Sequence, residues 1–356
     1  MKQRLALGPA ARNSSAISRS AVSALLACAG VAGALVLAEV GLRFARQDGV
    51  ALQVQWGMPD DAVEQRARLR GTDHGRTFSY DEYGFRTGSG LPYDRSVLFI
   101  GDSFTEGVGV GDDETSAQAT ERALRRDGIR ARSLNAGHRG FGAAQELKVL
   151  RRMLARLSVE AVVVQSFPMN DPSDNIAFGG FGITDGHLVE YDPPRVPLRA
   201  RLAGAVAQSW LRNLYVVRLV NNALLPGPAP WDSDTSLDLE RALLREIIAA
   251  VGSRPVLVLV VPTKLIQTVQ HGMQPTLSQR DEVRRFSEVC AFMKEIGVPW
   301  IDAGDVITDL EADAAKSDGG HFSRDGNMLI GEAIAQRLRP LLGSGAASAL
   351  IRFPPR

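Results

Sequence analysis

Short apolar runs rich in β-formers recur along the chain at Val97–Ile100, Ala161–Phe167 and Pro255–Val261. A run without polar alternation, bounded by Gly, Pro or Asn-Asp, reads as a strand buried on both faces. Two shorter segments, Ala131–Asn135 and Val298–Asp302, read as further strands. Between them the spacing turns helical: about Ser116–Arg126, Ala143–Leu157 with Leu147, Leu150 and Leu154 on one face, Leu237–Val251, Asp281–Ile296 and Asp325–Leu338. Strand alternating with helix implies an α/β fold, a parallel sheet flanked by helices. The alternation breaks at 172–235, where Phe178-Gly179-Gly180-Phe181-Gly182, Pro193-Pro194 and Pro226-Gly227-Pro228 interrupt it and a helix is expected over Leu198–Leu225. This stretch reads as an insertion or lid, with Phe178, Phe181 and Trp210 as core packing or as a pocket wall.

The N-terminus has a different pattern. Residues 1–20 carry Lys2, Arg4, Arg12 and Arg19 and no acid, and residues 21–38 are 18 uncharged, mostly apolar positions. Continued to Leu42, with Glu39 inside, the run is long enough to span a bilayer, and the basic flank favours the N-terminus inside. The segment 21–42 is therefore expected to be a transmembrane signal anchor, with the main domain on the extracytoplasmic (periplasmic) side of the inner membrane. A cleaved signal peptide, with secretion, is the second reading. A lipoprotein signal at Leu25-Leu26-Ala27-Cys28 is a third. Residues 43–94 form a connecting region in which Thr77–Tyr80 and Tyr83–Arg86 suggest a hairpin. Residues 95–342 form the main domain, and 343–356 a loose tail.

Composition narrows the classes. The 356 residues are 45% hydrophobic, enough for one large core, and the formal net charge is +1. No basic patch and an aromatic content of 6% argue against a nucleic-acid partner. Cys28 and Cys290 are far apart, and no Cys/His cluster has zinc-site spacing, so no metal or cofactor is expected.

The candidate chemistry sits where strands end. Gly101-Asp102-Ser103 follows the first apolar run and opens a helical stretch. There, free N–H groups and the helix dipole favour an oxyanion, although a serine there also serves as an N-cap. Asp318-Gly319-Gly320-His321 places an acid and a base three residues apart around two glycines. That spacing suits a carboxylate orienting an imidazole that activates a hydroxyl; an incidental surface histidine is the alternative. Pro168-Met169-Asn170-Asp171 ends the third strand and reads as an oxyanion donor or as an Asx-turn. Asn135-Ala136-Gly137-His138-Arg139-Gly140 ends the second.

These four segments, in this order, resemble the blocks of the SGNH (GDSL-type) hydrolase superfamily over roughly residues 80–340. The resemblance implies a flavodoxin-like sheet and makes Ser103 the nucleophile, His321 the base and Asp318 its orienting acid. It assigns the oxyanion hole to the Ser103 and Gly140 N–H groups and the Asn170 amide. Asp102, His138 and Asp171 are further candidates for lining the pocket, while Asn135 is expected to stabilise its loop. One departure is visible: Pro168 stands where the family usually has glycine, which removes a backbone donor and fixes φ. The expected activity is hydrolysis of an acyl ester, an acetylated glycan or a lipid ester among the candidates. An O-acyltransferase acting on a cell-envelope polysaccharide and a non-catalytic glycan-binding or assembly protein are the rivals.

Overall fold

The apolar runs become the strands of one parallel sheet. A computed structural model describes residues 19–44, 62–178, 180–191 and 233–343. Five strand–helix units follow one another: β1 (Arg95–Ile100), α1 (Ser116–Arg126), β2 (Ala131–Asn135), α2 (Ala143–Arg156), β3 (Ala161–Ser166), α3 (Ser233–Val251), β4 (Val256–Val260), α4 (Arg280–Glu295), β5 (Trp300–Asp302) and α5 (Arg324–Gly343). The spatial order is β2-β1-β3-β4-β5, every pair parallel, which is the flavodoxin-like order.

Strand alternation decides which helices cover which face. Leu98, Ile100, Val162, Val164 and Val258 point to one core with Leu147 and Leu150 of α2, Leu243 and Ile247 of α3, and Val289 of α4. Val97, Phe99, Val163, Leu257 and Ile301 point to the other, with Ala123 and Leu124 of α1 and Ile330, Ile334 and Leu338 of α5. Because both faces are covered, the strands tolerate no polar alternation, and this is why they read as continuous apolar runs.

Two hairpins flank this frame. Arg70–Asp73 pairs antiparallel with Arg76–Ser79. Its turn residues His74 and Gly75 have φ of 48° and 76°, the two-residue geometry that matches strand twist. The hairpin expected across Thr77–Arg86 is thus displaced toward the N-terminus. Tyr80 and Arg86 keep only an isolated bridge, because Asp81 closes the loop between them by accepting the N–H groups of Tyr83 and Phe85. Within the expected insertion, helix Asp171–Phe178 leads to a second hairpin, Phe181–Thr184 with His187–Glu190. Phe181 is buried in the core with the Lys148 ammonium 5.5 Å from its ring centroid, so it packs structure and lines no open pocket. The helix expected at Leu198–Leu225, Trp210, the Phe178 side chain and residues 344–356 lie outside the described residues.

The chain divides into two compact units, Met1–Gln55 with Pro197–Gly227, and Trp56–Val196 with Pro228–Arg356. The first contains a 26-residue helix, Arg19–Phe44, on which Leu26, Val31, Val36 and Leu37 are exposed. Among the described residues no helix is long and apolar enough to cross a membrane, so the structure does not supply the span expected over 21–42. The side chains of 21, 24, 25, 32 and 42, within that run, lie outside the described residues.

Helices α1 and α5 meet at a glycine. A Cβ on Gly331 would lie 2.3 Å from Ala119 Cβ and 2.7 Å from the Ser116 carbonyl. Backbone cannot retreat as a flexible side chain can, so Gly331→Ala is expected to lower stability by about 1–3 kcal/mol. A reduced urea midpoint at unchanged m-value checks this.

Candidate active site

The loops that leave the carboxyl ends of β1, β2 and β3 converge where the strand order reverses, the place where open α/β sheets hold ligands. Gly101 ends β1 because nothing larger fits: a Cβ there would lie 2.3 Å from Thr105 Oγ1 and 2.7 Å from Gln165 Oε1. The chain then turns directly into a four-residue helix, Ser103–Glu106. Asp102 caps it, its Oδ1 accepting the Phe104 N–H at 2.8 Å. As first residue of the helix, Ser103 has no intrahelical acceptor for its own N–H.

His321 reaches this serine from the far end of the chain. Its Nε2 lies 2.8 Å from Ser103 Oγ, and its Nδ1 lies 2.6 Å from Asp318 Oδ2. The other Asp318 oxygen accepts the Gly320 and His321 N–H groups at 2.9 and 2.8 Å. Burial acts to raise the Asp318 pKa, but those N–H groups and the imidazole prevail and hold the carboxyl below its ordinary value. An ionised carboxylate at Nδ1 makes that nitrogen the donor, which leaves the Nε2 lone pair facing the hydroxyl. Phe104 packs against the imidazole, ring centroids 4.9 Å apart, and against Phe167 and Phe322 at 5.1 and 4.8 Å. This aromatic cluster borders the histidine and limits its rotation.

The remaining candidates take distinct places. Asn135 is buried, donates to the Thr105 carbonyl at 2.7 Å and accepts the Gly137 N–H at 3.0 Å, so it ties the second loop to the Ser103 helix. Gly140 follows in that loop with φ 79°. His138 stacks on Phe141 at 4.6 Å, and its Nδ1 lies 2.9 Å from the Arg139 carbonyl. Burial, reinforced by the nearby charges of Arg66 and Arg139, pushes its pKa down to about 4, so it is neutral near pH 7. The Asn170 side chain stands beside the Asp102 carboxylate and favours its ionised form. Pro168 sits second in a tight turn closed by Asn170 N–H to the Phe167 carbonyl at 3.1 Å. Its preset φ suits that position, which is why proline is accepted where a glycine was expected.

Asp102 and Asp171 do not line an open pocket. Both are buried, and Asp171 accepts the Phe167 N–H at 2.6 Å. They belong to a group of buried carboxyls with Glu146, Asp174 and Glu240. Burial raises all five: Asp102 to about 6, Glu240 to about 7, Asp174 to about 8, and Glu146 and Asp171 well above the ordinary carboxyl range. Among the described residues no group of His, Cys, Asp or Glu has the arrangement to hold a metal ion.

Sequence reasoning missed the braces on the Ser103 helix. Buried Arg86 donates to the carbonyls of Glu106, Gly107 and Val110 at 3.0, 3.2 and 2.6 Å, satisfying the helix end. Gln165 Oε1 accepts both the Asp102 N–H and the Thr105 hydroxyl at 3.1 Å. Nothing in either residue's local sequence marks these contacts.

The raised carboxyls set a pH dependence. A carboxyl whose folded pKa exceeds its unfolded value, about 4, stabilises fully below that value and loses the contribution as pH rises through the folded one. Asp318, shifted the opposite way, contributes above about pH 4 and so does not alter this window. Thermal stability is therefore expected to fall as pH rises from about 4 to about 8, with His138, lowered to about 4, offsetting part of the fall below about pH 6.5. Asp171→Asn, which keeps an acceptor for the Phe167 N–H, should flatten that fall; melting curves across the range check it.

Residues 99–329 match the GDSL-like Lipase/Acylhydrolase family. No curated protein matches the chain. Similar solved structures include the lipase/acylhydrolase from Enterococcus faecalis, 17% identical, covering 70% of this chain and 97% of that one at a TM-score of 0.41. Est24, a carbohydrate acetylesterase from Sinorhizobium meliloti, is 15% identical over 70% of this chain and 100% of its own, at 0.39. The psychrotrophic esterase EstA from Pseudoalteromonas sp. is 12% identical with the same coverages, at 0.40. With its match spanning most of the sequence, including both Ser103 and His321, the chain belongs to the GDSL-like lipase/acylhydrolase family and is a carboxylic ester hydrolase.

Proposed function

We propose that the protein hydrolyses an acyl ester through Ser103, His321 and Asp318. The observation that carries this reading is the continuous chain of hydrogen bonds, 2.8 Å from Ser103 Oγ to His321 Nε2 and 2.6 Å from Nδ1 to Asp318. In the first half-reaction Ser103 Oγ bonds to the carbonyl carbon while its proton passes to Nε2. The tetrahedral oxyanion is held by the Ser103 and Gly140 N–H groups and the Asn170 amide. The alkoxide leaves with the proton from Nε2, giving an acyl-Ser103. Water then attacks, with Nε2 as base, and releases the carboxylic acid and the free serine. Asp318 keeps the imidazole in the tautomer that accepts at Nε2 throughout.

Labelling with a fluorophosphonate, read by mass spectrometry, tests the nucleophile. The label is expected on Ser103 and is expected to disappear in Ser103→Ala; a folded parent chain without label would sink the proposal. Asp318→Asn should keep the fold and lower kcat for p-nitrophenyl acetate on the order of 10⁴-fold, because the imidazole tautomer is no longer fixed.

The same reading places this chemistry outside the cytoplasm, with the N-terminal segment as its anchor or export signal. Its support is the sequence, 18 uncharged positions at 21–38 behind four basic residues and no acid. Expression of the full chain in a bacterium, followed by alkaline carbonate extraction, should leave the protein in the membrane pellet if the segment is retained. Recovery in the cytoplasmic fraction would reject both forms.

A further inference from the structure

Glu106 ends the short helix that Ser103 begins, and it is only 2% exposed. Its carboxylate accepts the main-chain N–H of Arg139 at 2.6 Å and the Arg139 guanidinium through Nε and Nη2 at 3.2 Å. The Tyr80 hydroxyl donates to the same carboxylate. Arg66 Nη1 lies 4.0 Å away, with its guanidinium 4.3 Å from the centroid of the Tyr80 ring. Burial works to neutralise Glu106, but the charges of Arg139 and Arg66 override it and hold the group ionised.

Arg139 is bonded directly to Gly140. The peptide between them supplies the Gly140 N–H, so whatever fixes Arg139 fixes that donor's plane. Asn135 and Gly137 hold the start of the loop against the helix: a Cβ on Gly137 would lie 2.5 Å from the Glu106 nitrogen. Glu106 holds its far end. A buried ion pair contributes little net stability for its desolvation cost, whereas it imposes geometry strongly.

We infer that Glu106 is a positioning residue that locks the Gly140 loop to the Ser103 helix, so that nucleophile and oxyanion donor stay in one fixed relation. This rests on the ester-hydrolase reading above. Glu106 touches no reacting atom and acts only through Arg139.

The test uses the full chain with Glu106→Gln, Arg139→Ala and Arg139→Lys. Three quantities are measured: the rate of fluorophosphonate labelling at Ser103, kcat and KM for p-nitrophenyl acetate, and the pH profile of kcat/KM. In Glu106→Gln, labelling rate and kcat are expected to fall together by about 10- to 100-fold, because a donor held loosely loses much of its worth in the transition state. KM should stay within about two-fold. The acidic limb of the pH profile should not move, since His321 and Asp318 stand on a separate loop; a merely structural disturbance would shift it together with the rates. Arg139→Ala should show a smaller loss with the same signature, and Arg139→Lys should recover part of it. If Glu106→Gln does not fold, Arg139→Ala decides alone, because that side chain is half-exposed. Parental rates in either variant, folded and cooperative in melting, would overturn the role of Glu106 while leaving the esterase reading intact. A parent chain that neither labels nor turns over would overturn both.

Discussion

The Glu106–Arg139 pair is the interaction on which the geometry of the site turns. A four-residue helix is far too short to be stable alone, and the helix that carries Ser103 survives because each of its ends is satisfied from outside. Asp102 caps the start, Arg86 takes the carbonyls at the end, and Glu106 reaches sideways to the loop after β2. Asp102 is its neighbour in sequence, but Arg86 and Arg139 come from other parts of the chain. The nucleophile is thus held by tertiary contacts and not by helix propensity.

Two kinds of buried carboxyl share this end of the sheet, and their difference matters. Glu106 has guanidinium partners and stays charged. In the group formed by Asp102, Glu146, Asp171, Asp174 and Glu240 burial raises every carboxyl, and like-charge repulsion adds to it at Glu146, Asp171 and Asp174, which hold protons most readily. Five negative charges around the third loop would oppose the oxyanion that ester attack creates on the proposed site. Protonation removes much of that opposition while keeping the hydrogen bonds that Asp171 accepts from the Phe167 N–H and that Glu240 accepts from the Asn175 amide. Polar groups give the loop its shape, and proton uptake limits their electrostatic cost.

Local pattern revealed the five strands and their helices, because a two-face-buried strand has no other way to look, and it revealed the ends where function gathers. Ser103, His321 and Asp318 were singled out through the resemblance carried by Gly-Asp-Ser and Asp-Gly-Gly-His, and the structure brings the three within hydrogen-bonding distance of one another. Arg66, Tyr80, Arg86 and Gln165 were not. Their partners lie 20 to 63 residues away, and an arginine in a polar stretch looks the same whether it is solvated or buried. The carboxyl group was hidden likewise, scattered from 102 to 240: Asp102 and Asp171 read singly as candidates for lining a pocket, and Glu146, Asp174 and Glu240 carried no local sign. The hairpin at 181–190 did leave a local sign, the Asp185-Gly186 dipeptide with φ of 52° and 76°, set in a stretch whose prolines and glycines obscured it.

The segment before the first strand changes meaning in this light. The family match begins at residue 99, so Arg66, Tyr80 and Arg86 stand outside it. Yet Arg86 is 3% exposed and donates to three carbonyls beyond Ser103 while its Nε bonds Asp112. Tyr80 and Arg66 complete the surroundings of Glu106. A charge buried this deeply is tolerated only with its partners in place. Residues 62–86 therefore brace the Ser103 helix although they lie outside the family match, and the charge of Glu106 is what makes that brace necessary.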